Sequence, residues 1–247
     1  MLKKTMALVE KSEFGKKLRI SKIIGLSLIT MLFLGIFAEF LMRGQLIKWD
    51  DPALTFTNIQ NSLILFESGI FAFLVTIVLD VLLSIYLYVL LNSIDKSIGL
   101  LMVSFRLIYV AIKGFAIVGL FLARDIYLSA NELTTGQSEA NVSQAMQFLK
   151  MHHYGFAIGL LFFGLHLIFL AILLLKVKAM PKLISWMLFA AGIGYCLNTL
   201  TTLFANNLDF LKIIIIVAFI IPMTFSELLF GIWLWIKSKK VIPLLKS

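Results

Sequence analysis

Charge is what this chain is short of. Asp, Glu, Lys and Arg make up 14% of its 247 residues, against about 25% in a typical soluble domain. It has one cysteine, Cys196, which excludes an internal disulfide. Set in an apolar run, that thiol reads as a small packing residue. There are three histidines, His152, His153 and His166. On one helix His166 falls about 20 Å along the axis from the adjacent pair, which excludes a three-histidine zinc site. A Gly-rich phosphate loop, a Gly-x-Ser-x-Gly turn, a cofactor-binding domain and low-complexity stretches are all missing. No cofactor and no metal are therefore expected.

What the chain has instead is apolar length. Hydrophobic residues make up 61% of it, and its mean hydropathy is +1.01. A soluble fold of this length cannot hide so much apolar surface, so lipid must solvate the outer faces. A helix rises about 1.5 Å per residue, and about 20 apolar residues cross a bilayer core. Six runs qualify, at about 20–42, 68–91, 99–122, 151–175, 184–203 and 213–236. They are too long and continuous for barrel strands. The expectation is an all-α polytopic bundle: one six-helix transmembrane domain over 20–236 between basic tails at 1–19 and 237–247. The first run lacks a small-residue cleavage site and reads as a retained anchor.

The basic residues predict orientation. Fifteen Lys and Arg fall in the N-terminal tail, the second-to-third and fourth-to-fifth connections and the C-terminal tail. Five fall on the other side: Arg43, Lys48, Arg124, Lys150 and Lys212. This bias places both termini in the cytoplasm. It also makes anionic lipid headgroups, and not nucleic acid, the expected partner of the net charge of +9. Asp51-Pro52 reads as an N-cap with Pro at the first helical position, and Glu67-Ser68-Gly69 as a break before the second span. A short helix is expected after Ser138.

Several ionisable groups sit within the spans, where each costs about 2.5–3.5 kcal/mol on insertion scales. Asp80, Arg106, His166 and Glu227 lie on four different spans. Counted from the span ends, they fall within a slab roughly 6 Å thick. Protonating His166 would make the set neutral. Arg106 at that depth competes with any metal for the carboxylates. Glu39 and Arg43, at i,i+4 spacing, read as a local salt bridge. Tyr195 and Asn198 add polar groups to the fifth span. Lys113 has a chain long enough to snorkel outward, and His152-His153-Tyr154 reads as an interface anchor. Pro222 is the one candidate helix break of the kind transporters use.

Three functions fit this pattern. The first is a small transporter or channel-like protein whose four buried polar residues line a cavity. The second is a non-catalytic sensor or partner-support module with a structural ion-pair network. The third is an intramembrane enzyme acting on a lipid-like substrate, with a carboxylate and His166 as acid and base.

The order of short segments carries a resemblance. They are Leu34-Gly35-Ile36-Phe37-Ala38-Glu39 with Arg43, Leu79-Asp80-Val81 leading to Tyr88-Val89-Leu90-Leu91, and Phe105-Arg106-Leu107. Then follow His153-Tyr154-Gly155, Phe162-Phe163-Gly164-Leu165-His166, Gly194-Tyr195 and Glu227-Leu228. In this order the chain resembles the bacterial membrane-protein family labelled domain of unknown function 4386, from about Arg19 to Ile236. The resemblance implies a helical bundle in the bacterial cytoplasmic membrane and no particular activity. Lys113 lies outside the pattern.

Overall fold

A computed structural model describes the backbone of residues 2–129, 135–204 and 209–241, and the side chains of residues 11–129, 139–204 and 210–239. Lys3, Lys4, Lys240 and Lys246 of the basic tails lie outside the described side chains. Every regular element among the described residues is helical. In chain order these are α1 (Leu2–Ile36), a π-helical segment (Phe37–Arg43), α2 (Gly44–Leu46), α3 (Pro52–Asn61), α4 (Leu63–Leu91), α5 (Lys96–Ser129), α6 (Thr135–Lys176), α7 (Lys182–Phe204) and α8 (Asp209–Val241). Six helices are long and apolar enough to cross a membrane: Lys11–Leu46, Leu63–Leu91, Lys96–Ser129, Glu139–Lys176, Lys182–Phe204 and Phe210–Lys239. The protein is an all-α, multi-pass membrane bundle.

Local chemistry explains the helix ends. Asp51 caps α3, its side chain accepting from the Leu54 N–H at 2.9 Å, with Pro52 behind it. Thr55 pins the preceding loop, its hydroxyl accepting from the Lys48 N–H at 2.7 Å and donating to the Lys48 carbonyl at 2.9 Å. Asp95 caps α5 through the Ile98 N–H at 3.0 Å.

The break before α4 falls at Ser62, not at Glu67-Ser68-Gly69, which lies inside α4. Glu67 is instead held by Arg124 at 2.5 Å. Gly69 makes room, since a Cβ there would stand 2.6 Å from Met42. The helix after Ser138 is no separate element but the first turns of α6. Residues 2–19 continue α1 as helix.

The chain divides into two compact units. Unit 1 comprises residues 1–30, 80–108 and 160–247, and unit 2 residues 31–79 and 109–159. Unit 2 is built on an apolar core that includes Met42, Ile59, Phe66, Ile70, Leu120 and Leu149. In unit 1, backbones approach closely at glycines. A Cβ on Gly164 would lie 2.6 Å from the Gly192 carbonyl oxygen, and a Cβ on Gly192 the same distance from that of Gly164. Gly25 meets Gly231 likewise, at 2.7 Å. Of the six, α8 is the least covered: 17% of its 18-residue apolar stretch is buried, against 28–50% for the others.

Candidate functional site: an arginine-centred cluster in unit 1

Arg106 on α5 is 0% exposed, and three side chains from three other helices converge on it. Asp80 of α4 accepts from Nε at 3.0 Å and from Nη2 at 2.7 Å, both through Oδ1. Glu227 of α8 accepts from Nη1 at 2.9 Å through Oε1. His166 of α6 places Nε2 at 2.8 Å from the same Nη1. The guanidinium also stands over the Phe163 ring, 5.3 Å from its centre. A planar fork of five donors suits such a three-sided contact, and an ammonium does not.

The hydrogen bonds fix the histidine's proton. Nδ1 of His166 lies 2.9 Å from the Met102 carbonyl oxygen, which accepts. Nδ1 therefore carries the hydrogen. An arginine N–H always donates, so Nε2 must offer its lone pair. His166 is thus a neutral Nδ1–H imidazole. A second proton on Nε2 would face the Nη1 hydrogen in this arrangement. With Asp80 and Glu227 ionised, the four side chains carry one net negative charge.

The members differ in shelter. The Asp80 and Arg106 side chains are 0% exposed and Glu227 is 23% exposed; His166 is also 0% exposed. Tyr195 of α7 packs edge-on against Phe163 at 5.1 Å. Its hydroxyl donates to the Met223 carbonyl at 3.2 Å, one turn before Glu227. Asn198 contributes its backbone, whose carbonyl accepts from Thr201 and Thr202. Ser226 is buried, and its hydroxyl has no partner among the described residues.

Unit 2 holds a second set of polar side chains. Arg43 clasps Glu39 with both contacts from Nη1, at 2.9 and 2.7 Å. Its Nη2 stands 3.2 Å from His153 Nδ1, and the His153 ring packs on Trp49 at 4.9 Å. His152 is 1% exposed. Its Nδ1 meets the Ala116 carbonyl at 3.1 Å, and its ring lies among Phe73 and Phe156. Tyr154 is exposed and His153 half-buried, so the interface reading fails only for the buried His152. Lys113 does not snorkel. It is 4% exposed, its Nζ donates to the Thr76 hydroxyl at 2.8 Å, and it stands 5.2 Å from the Tyr109 ring centre. Nothing in the sequence paired Thr76 with Lys113.

Among the described residues no group of three or more His, Cys, Asp or Glu side chains could hold a metal ion. Arg106 fills the position that Asp80, His166 and Glu227 would share around one.

Residues 23–238 match a family described as "Domain of unknown function (DUF4386)". An uncharacterized protein of Archaeoglobus fulgidus is 30% identical over 165 residues, covering 67% of this chain and 80% of its own length. No solved structure matches the chain.

Proposed function

The chain belongs to the family described as Domain of unknown function (DUF4386), and within it we propose a small proton-coupled transporter or channel-like protein of the bacterial cytoplasmic membrane. Asp80, Arg106, His166 and Glu227 form its polar site. The observation that carries this reading is the convergence of Asp80, His166 and Glu227, from three helices, on the buried guanidinium of a fourth. Ionisable groups at membrane depth are expensive, and they mark ion pathways and proton relays. The positive-inside bias favours cytoplasmic termini, with the basic connections against anionic headgroups.

A second reading has an observation of its own. Asp80, Arg106 and His166 are sealed and mutually paired, as in a structural lock serving a sensor or partner-support module. Proton movement separates the two. The full chain is reconstituted in liposomes with an internal pH-sensitive dye, and a potassium diffusion potential is imposed. Wild type is expected to move protons faster than empty vesicles, and Arg106→Gln to match empty vesicles. Equal rates for wild type and empty vesicles would overturn the transport reading in favour of the lock.

A further inference from the structure

We infer that unit 2 holds a second polar site, at Arg43 and His152, which binds an uncharged hydroxyl group: a water molecule or the alcohol of a small solute. It takes no residue from the arginine-centred cluster and is independent of proton flux. Two orphaned atoms carry it. Among the described residues, Nε of Arg43 and Nε2 of His152 are buried without a hydrogen-bond partner. Buried polar atoms are nearly always bonded, to protein or to ordered water.

The rest of each side chain is already engaged. Arg43 ends the π-helical segment, whose Glu39 carbonyl accepts from the Gly44 N–H. Such segments are rare and frequent at functional sites. Nη1 of Arg43 clasps Glu39 and Nη2 meets His153, so only Nε–H is left over. His152, on α6, gives its Nδ1 hydrogen to the Ala116 carbonyl at 3.1 Å. Nε2 of the neutral ring is then a bare lone pair. The two side chains share one neighbour. The guanidinium carbon of Arg43 stands 5.7 Å from the centre of the Phe156 ring, and the His152 ring stacks on the same ring at 5.9 Å.

The two atoms set the chemistry of the occupant. Arginine only donates, and the bare imidazole nitrogen only accepts. The occupant must therefore accept from Arg43 and donate to His152. A hydroxyl does both, and a file of hydroxyls does so over a longer gap. Carboxylate, phosphate and halide only accept, and would leave Nε2 bare. An ammonium only donates, and would add a positive charge where two already stand. Those two are Arg43, which has Glu39 against it, and the buried Lys113, whose contacts include Thr76 and Tyr109. Both act on the His152 ring, as does His153. The way in from the surface runs along the ion pair, since the Glu39 side chain is 33% exposed and that of Arg43 11%.

The test is solid-state NMR of the full chain, with nitrogen-labelled histidine and carbonyl-labelled alanine. The nanodiscs are of diacyl phosphatidylcholine, a lipid without a hydroxyl group. His152 is recognised by the closeness of its Nδ1 to the Ala116 carbonyl. Its Nε2 is expected to show the shift of a hydrogen-bonded lone pair and to receive magnetisation from water protons. A bonded Nε2 silent to water, with a stoichiometric alcohol in mass spectra of the preparation, would assign the hydroxyl to that alcohol. A bare lone pair or a proton at Nε2 would overturn the inference, as would a bonded Nε2 with neither water nor alcohol. Arg43→Lys keeps a cation for Glu39 but has no nitrogen at the Nε position. It is expected to lose the transfer at Nε2 while Nδ1 stays beside Ala116. Unchanged transfer in that variant would remove Arg43 from the site. Should the variant not fold, water transfer to the wild-type Arg43 Nε, recognised beside the His153 ring, is read instead, and its absence is equally adverse.

Discussion

Replacing Arg106 by Met tests whether the cluster binds the bundle through charge or through bulk. The change strips Asp80 of its bonds at 3.0 and 2.7 Å, Glu227 of its bond at 2.9 Å and His166 Nε2 of its donor at 2.8 Å. Asp80 cannot turn to solvent, since its side chain is 0% exposed. Removing one partner of a buried pair costs about 3–5 kcal/mol, because the other charge is left uncompensated. At about 1.36 kcal/mol per tenfold, the unfolding constant should rise by roughly two to four powers of ten.

Most of that penalty belongs to the stranded carboxylate and not to the lost contact. Asp80→Asn added to Arg106→Met should therefore recover part of it, with a coupling of about 1–3 kcal/mol. Asp80→Asn alone should cost less than Arg106→Met, because Arg106 keeps Glu227. Equilibrium unfolding of the four proteins in mixed micelles measures all of these. An Arg106→Met protein within about 0.5 kcal/mol of wild type, or a strictly additive double variant, would refute the reasoning.

Three further outcomes are expected from the packing and the ion pairs. Gly192→Val places a branched side chain where even a Cβ lies 2.6 Å from the Gly164 carbonyl oxygen; a loss of about 1–3 kcal/mol is expected in the same unfolding assay. Lys113→Met keeps the bulk of a buried lysine, and Thr76 retains its bond to the Phe73 carbonyl at 2.8 Å. It should cost under about 1.5 kcal/mol, whereas Lys113→Ala should cost about 2–5 kcal/mol through the space it leaves. In the α4–α5 turn, the hydrogen bond from Lys176 at 2.7 Å holds the Asp95 carboxyl below its ordinary range. A lowered carboxyl contributes stability that is complete above its unfolded value and is lost as pH falls through the lowered folded one. Asp95→Asn should remove that part of the acid dependence in a pH series of melting temperatures.

Hydropathy made the spans legible, because it reports which residues meet lipid. It is silent on where a helix continues into water, so α1 and α6 begin well before their apolar runs. The acidic and basic residues at matched depth were legible too, since an unmatched charge in hydrocarbon is too costly to leave alone. Their geometry was not. Which nitrogen of His166 bears hydrogen depends on the Met102 carbonyl 64 residues away in the chain. Glu67-Ser68-Gly69 looked like a breaker because its composition disfavours helix. Packing against Met42 and the ion pair with Arg124 override that preference. Lys113 had a legible means of reaching the interface, but its observed partner is a hydroxyl on another helix.

The four-helix contact also orders the protein's birth. Asp80 and Arg106 emerge close together, 26 residues apart, and can meet as a newly inserted hairpin. Glu227 follows Arg106 by 121 residues, a delay of about 6–24 s at ordinary rates of synthesis. Throughout that interval the nascent chain holds an arginine in the membrane with one of its carboxylates still unmade. Glu227 is thus the last member of the cluster to be made, and until it arrives only Asp80 and His166 are available to face Arg106.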